Sequence, residues 1–188
     1  MSLRCEATSI PGVLLFTPRI FGDARGFFLQ TYQTKLYAEA GLDRVFVQDN
    51  LSRSRHGTIR GLHYQLRQPQ AKLVSVLRGA VLDVAVDIRR GSPTFGQYVV
   101  AELSEDNRRQ LFIPEGFAHG FQVLTDTADF HYKCSDFYAP GDEYGVAWND
   151  PGLAVPWRET HLPIVSAKDQ QLPKLADVPS GHLPEYAE

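Results

Sequence analysis

Leu73-Val-Ser-Val-Leu-Arg-Gly-Ala-Val-Leu-Asp-Val-Ala-Val-Asp-Ile88 decides how this chain folds. Two runs rich in β-branched and aliphatic residues, Leu73–Leu77 and Val81–Ile88, lie on either side of Arg78-Gly79, which supplies turn chemistry. A helix would repeat its apolar positions every three to four residues, and neither run does. Strands of similar length follow at short intervals on both sides. Ile59–Gln65, Tyr98–Leu103, Leu111–Ile113, Phe117–Leu124 and Phe130–Phe137 are β-branched or aromatic-rich. Arg90-Gly-Ser-Pro93, Glu105-Asp-Asn107 and Pro114-Glu-Gly116 part them with turn residues. Many short strands with almost no helical period imply an all-β, antiparallel chain, and the double-sheet jelly roll is the architecture expected.

Nearer the N-terminus, Val13-Leu-Leu-Phe16 reads as a first strand and Phe28-Leu-Gln-Thr-Tyr32 as another, with a turn around Asp23 and Arg25 between Gly22 and Gly26. Lys35-Leu-Tyr-Ala-Glu-Ala-Gly41 is the first plausible helix, stopped by Gly41. Val45-Phe-Val-Gln-Asp-Asn-Leu51 returns to strand character, with the three polar residues Gln48-Asp-Asn50 ending it. Arg53, Arg55, His56 and Arg60 make a basic run, in which Arg53 and Arg55 read as a solvated turn. Beyond Trp157 the pattern turns irregular. Ser166-Ala-Lys-Asp-Gln-Gln171 can begin a short helix, with Ser166 as cap and Asp169 three residues on. From about residue 172 the prolines 173, 179 and 184 imply an extended tail packed on a surface or a partner.

Composition sets the outer limits. The 188 residues suffice for one domain, 1–188, with a substantial core, and a 43% hydrophobic share marks a folded chain. A net charge of −3 argues against a nucleic-acid binder. Cys5 and Cys134, the only cysteines, are too few for a disulfide framework or a thiolate zinc cluster. The first residues lack the apolar core of a signal sequence, and no run has the length of a membrane span. A cytoplasmic protein with no membrane partner is expected.

The polar residues that matter sit among apolar ones. Strand alternation puts Lys72 on a face with Val74 and Val76, His119 with Phe117, Phe121 and Val123, and Tyr132 with Phe130 and Cys134. Asp129, His131 and Lys133 take the opposite, solvent-like face. A lysine among apolar neighbours either meets a charge or ligand, or lays its stem on the surface and sends its amine to water. Within Gly57-Thr-Ile-Arg-Gly-Leu-His-Tyr-Gln65, His63 can take a proton and Arg60 can hold an anion. Strict alternation would place those two on opposite faces. A common site for both requires a bulge, and Gly61 is the place for it. Pro114-Glu-Gly-Phe-Ala-His119 is similar to half of a cupin metal motif, but a His-x-His pair is missing, since Gln65 stands two residues after His63. No trio of metal ligands follows, so no metal is expected.

The same segments, taken in order, resemble the dTDP-4-dehydrorhamnose 3,5-epimerase family. Asp23-Ala-Arg-Gly-Phe-Phe28, Gln48-Asp-Asn50, Gly57–Gln65, Pro69-Gln-Ala-Lys72, Leu77-Arg-Gly79 and Asp83–Gly96 carry the match. Ile113–Phe121, Tyr132-Lys-Cys134, Trp148-Asn-Asp150 and Ser166-Ala-Lys-Asp169 complete it. The resemblance implies a cupin-like jelly roll acting on a dTDP-linked 4-keto-6-deoxy sugar, without a cofactor, as a homodimer. It assigns proton removal to His63, orientation of His63 to Asp169, enolate stabilisation to Lys72 and proton return to Tyr132. It puts Arg25, Gln48, Asn50, Arg60 and Lys168 against the sugar nucleotide, His119 and Glu143 near the sugar, and Tyr138 on the thymine. The segment with Arg25 and Phe28 is implied to come from the neighbouring subunit. Gln30 departs from the family, which usually has Glu there; glutamine keeps the size, loses the charge and adds a donor, so altered nucleotide affinity is expected.

Three other readings stand beside this one. An enzyme inverting a single carbon would keep the same residues. A non-catalytic sugar-nucleotide binder would not need His63, Lys72, Tyr132 and Asp169 together. A metal cupin oxygenase would need the missing His-x-His pair.

Overall fold

The computed structural model describes residues 3–160 and 162–187. In chain order its strands are β1 (Leu3–Ala7), β2 (Leu14–Pro18), β3 (Ile20–Asp23), β4 (Gly26–Leu29), β5 (Gln48–Arg55), β6 (Ile59–Gln65) and β7 (Lys72–Arg78). There follow β8 (Ala80–Asp87), β9 (Tyr98–Ser104), β10 (Gln110–Ile113), β11 (Phe117–Val123), β12 (Thr127–Cys134) and β13 (Glu143–Gly145). One helix, α1 (Thr34–Glu39), precedes β5, and short 3-10 turns occupy Asp169–Gln171, Leu175–Asp177 and Ser180–His182.

Two antiparallel sheets face each other as a jelly roll. The larger runs β1-β2-β10-β7-β12-β5 and the smaller β13-β6-β11-β8-β9. Between them lies a core of Val74, Val76 and Phe130 from one sheet and Val81, Ala85, Phe117, Phe121 and Val123 from the other. The smaller sheet is also covered outside: Leu175, Val178 and Leu183 from the C-terminal segment pack with Leu62, Tyr64, Val84 and Val86. That double cover explains the nearly unbroken apolar run of β8, whose two faces are both buried. On the outside of the larger sheet, Tyr37 of α1, with Leu42 beyond its end, packs on Phe16, Leu73 and Phe112.

Several sequence expectations need correction. Of the expected strand Phe28–Tyr32 only Phe28 and Leu29 are strand, closing β4 of the β3–β4 hairpin, and Gln30–Tyr32 lie outside any strand. The expected end of a strand at Gln48-Asp-Asn50 is where β5 begins, so Arg53 and Arg55 lie in a strand and not in a turn. There Arg53 meets Asp129 of β12 at 2.6 Å, and Asp49 accepts from Lys133 at 2.8 Å. Residues Asp129 and Lys133 thus form a cross-strand ion-pair face rather than a freely solvated one. Beyond residue 172 the chain makes two 3-10 turns where an extended tail was expected.

Candidate active site

The bulge that Arg60 and His63 require is present. His63 pairs with His119, while Arg60 pairs with Phe121, so three steps along β6 answer two along β11. The extra residue turns Arg60 and His63 into one cleft. Gly61 makes this possible, with φ +120° and its Cα against β11. A Cβ there would stand 2.6 Å from the Cα of Gly120 and 2.7 Å from the carbonyl oxygen of His119. The sheets part on this side to leave a cleft of about 920 Å³. Arg60, His63, Lys72, His119, Tyr132, Glu143, Lys168 and Asp169 all line it. A smaller adjoining recess of about 150 Å³ holds Gln48, Asn50 and Tyr138, and shares His63, Lys72, Tyr132 and Glu143 with the main cleft.

His63 is held from behind. Its Nε2 lies 2.7 Å from Oδ1 of Asp169, whose other oxygen accepts the backbone N–H of Gly61 at 3.3 Å. Ser166 Oγ accepts the Asp169 N–H at 3.1 Å ahead of the 3-10 turn, whose own N-cap position is Lys168 and carries no side-chain cap bond. Burial works to raise the Asp169 carboxyl, but the bonds from His63, Gly61 and Ser166 outweigh it and hold it below the usual carboxylate range. An ionised Asp169 accepts the Nε2–H, which leaves the lone pair on Nδ1. Nδ1 is therefore the basic atom. It faces Oε1 of Glu143 at 3.9 Å.

The cations around it differ in setting. Burial pushes the Lys72 ammonium down from its ordinary value, against the pull of Cys134, Asp83 and Glu143. Lys168, more exposed, pairs with Oε2 of Glu143, and Tyr138 donates its hydroxyl to the same oxygen at 3.1 Å. Burial also opposes ionisation of Glu143, yet Lys168, His63 and Tyr138 together keep its carboxyl below the ordinary glutamate value. On the larger sheet Tyr132 is raised chiefly by burial, with Cys134 and Glu143 adding to it and Arg60 opposing. It remains a hydroxyl at neutral pH and can donate.

His119 was expected near the sugar, and what fixes it was not read from the sequence. Its Nε2 lies 3.0 Å from Oδ2 of Asp83, a carboxylate with no solvent exposure. Burial lowers the His119 value and Asp83 pulls the other way. The available signal was Asp83 itself, a charge in the middle of the apolar run of β8, where a carboxylate needs a partner.

Not every expected residue reaches the cleft of this chain. Arg25 and Phe28 sit on the β3–β4 hairpin, where Arg25 pairs only with Asp23 among the described residues and Phe28 is 59% exposed. Gln30 lies just beyond β4, outside both recesses. Gln48 accepts the Tyr138 N–H at 3.0 Å and donates to Asn50 at the same distance. Among the described residues no three His, Cys, Asp or Glu side chains are grouped to hold a metal ion. No helix there is long and apolar enough to cross a membrane.

Fold and cleft together define a class: a jelly-roll enzyme built for proton transfer. Comparison with known proteins makes this specific. The family model for dTDP-4-dehydrorhamnose 3,5-epimerase matches residues 7–177, and the chain belongs to that family. The dTDP-4-dehydrorhamnose 3,5-epimerase of Pseudomonas aeruginosa is 53% identical over 176 residues, covering 93% of this chain and 97% of that one. A crystal structure of dTDP-6-deoxy-D-glucose-3,5-epimerase from Legionella pneumophila, in complex with dTDP-4-keto-L-rhamnose, is 49% identical. It superposes with a TM-score of 0.97 over 100% of both chains. A 3'-monoepimerase from Streptomyces bikiniensis, in complex with dTDP-quinovose, is 36% identical, with a TM-score of 0.90 over 95% of this chain and 92% of that one.

Proposed function

We propose that this protein inverts carbons 3 and 5 of dTDP-4-dehydro-6-deoxy-D-glucose to give dTDP-4-dehydro-L-rhamnose. The observation that carries the reading is the carboxylate-backed His63 facing Lys72 and Tyr132 across one cleft. A proton on carbon 3 or 5 is acidic because the ketone at carbon 4 can take up the electron pair as an enolate. Nδ1 of His63 removes it, and the Lys72 ammonium faces the oxygen on which the charge develops. Tyr132 returns a proton from the opposite ring face, so the carbon inverts. Repeating the cycle on the other carbon inverts both.

The nucleotide end falls to the flanking residues. Arg60 and Lys168 suit the diphosphate, Arg60 through its planar two-nitrogen fork. Gln48, Asn50 and Tyr138 border the smaller recess, where Tyr138 can stack on thymine. Arg25, Phe28 and Gln30 belong in this reading to the site of a second copy, making the working unit a homodimer. Their distance from this chain's own cleft and the exposure of Phe27 and Phe28 support that. A single-carbon epimerase is the second reading, favoured by the close superposition on the 3'-monoepimerase.

Proton NMR of the keto sugar nucleotide in deuterated water tests both readings. Deuterium entering at carbons 3 and 5 with formation of the L-rhamno product is expected; label at one carbon alone decides for the second reading. His63→Ala should stay folded and lose exchange at both carbons. Exchange persisting at near wild-type rate in that variant would remove His63 as the base.

A further inference from the structure

The cleft holds a carboxylate that proton removal by the His63–Asp169 pair does not use. Glu143 leaves β13 with one oxygen toward the basic Nδ1 of His63 and the other held by Lys168 and Tyr138. Among the described residues, the other charged or titratable groups lining the cleft and its recess are Arg53 and Arg55 on β5, Arg60 and Tyr64 on β6, Lys72 on β7, His119 on β11, Tyr132 and Cys134 on β12, Tyr138 and Asp169, with Asp83 on β8 behind His119. Asp169 is already committed to Nε2, and Asp83 to His119. Among the described residues only Glu143 offers negative charge on the side where Nδ1 gains its proton. In the ligand-free chain that charge is neutralised by Lys168.

We propose that Glu143 is a positioning residue for the base, and that the Lys168–Glu143 pair is a brake which a bound nucleoside diphosphate releases. The inference rests on the epimerase reading for its ligand. A diphosphate carries more charge than one carboxylate, and Lys168 is the more exposed, long-stemmed member of the pair. Drawn onto the phosphate oxygens, its ammonium leaves Glu143 bound by Tyr138 alone. The uncovered carboxylate then favours the imidazolium that forms when Nδ1 removes the substrate proton. The proton passes from carbon to Nδ1 and stays on His63, so Glu143 takes no part in bond making. The uncovered carboxylate acts on His63 only when the nucleotide is seated.

The test is NMR of the His63 ring nitrogens at one fixed pH near neutrality, in ¹⁵N-histidine-labelled whole protein, with and without dTDP. Wild type should show the Nε2–H tautomer when free, and a several-fold to about tenfold rise in the imidazolium-to-imidazole ratio with saturating dTDP. Lys168→Gln should show most of that rise before dTDP is added. Glu143→Gln should show little rise in either state. Three results overturn the proposal: a full rise in Glu143→Gln, which would assign it to the field of the diphosphate; a ligand-free Lys168→Gln that matches wild type; or a free Nε2 with the proton on Nδ1. Failure of the epimerase reading looks different, because wild type would then give no turnover of the keto sugar nucleotide. If dTDP also failed to bind, the nucleotide-released brake would be overturned, while the ligand-free comparison of Lys168→Gln with wild type still decides whether Glu143 acts on His63.

Discussion

Tyr132 is where one hydroxyl separates two kinds of proton transfer. Its ring packs 5.9 Å from that of Phe130, and alternation along β12 already put it with Phe130 and Cys134. The structure adds what alternation could not: this face opens into the cleft opposite His63. Tyr132→Phe removes the hydroxyl and leaves the ring packing nearly intact. His63 and Lys72 can still form the enolate, so exchange of substrate protons with solvent should continue with retained configuration. Inversion should fall about a hundred- to ten-thousand-fold, the usual contribution of a positioned acid. If the hydroxyl only satisfied a hydrogen bond, the variant would lose about 1 kcal/mol and both rates would drop together or not at all. Measuring exchange and inversion on one sample, beside a melting curve, distinguishes the two.

At the scale of elements, β6 and β5 show how far the sequence could be read. The bounds of β6 follow from its composition, and even its bulge follows from requiring Arg60 and His63 in one place. Gly61→Ala should therefore cost about 2–4 kcal/mol in stability, because its Cβ would overlap the backbone of β11 and the φ of +120° disfavours any side chain. Turnover should fall with it; a variant that melts like wild type would show that β6 can be straight. The neighbouring β5 was not legible in the same way. Its outer face pairs ions with β12, and its inner face lines the cleft rather than the core, so polar residues occupy both sides and the period-two signal vanishes. The β3–β4 hairpin was hard to read for a related reason: its Phe21, Phe27 and Phe28 are exposed and pack little against this chain. Its role is testable by mixing subunits. Arg25→Ala and His63→Ala should each be inactive alone, and their mixture should regain activity at about one site in four if the hairpin completes a neighbour's cleft. No recovery from a mixture shown to exchange subunits would confine each site to one chain.

The whole molecule carries one buried and one half-buried histidine as a pH liability. His119 stands between the sheets beside Asp83, and His131 on β12 lies against Ser75 at 3.4 Å. Burial holds both below the ordinary histidine value, with carboxylates opposing it only in part. The unfolded chain, where histidine titrates near about 6.5, takes up protons that the folded chain refuses. Stability therefore rises with pH across this window: each histidine's contribution is complete above about 6.5 and is lost as pH falls toward its folded value. The lowered carboxyls of Asp87 and Asp169 add a second loss at lower pH, below about 4, where the unfolded carboxylates protonate first. Melting temperature should accordingly decline in two stages on acidification. His131→Gln keeps a polar side chain near Ser75 without a group that titrates in the upper window. It should flatten the stage between about pH 7 and 5 and leave the lower stage unchanged. An upper stage of undiminished slope in His131→Gln would leave the whole effect to His119, and a melting temperature independent of pH above about 5 would contradict both assignments.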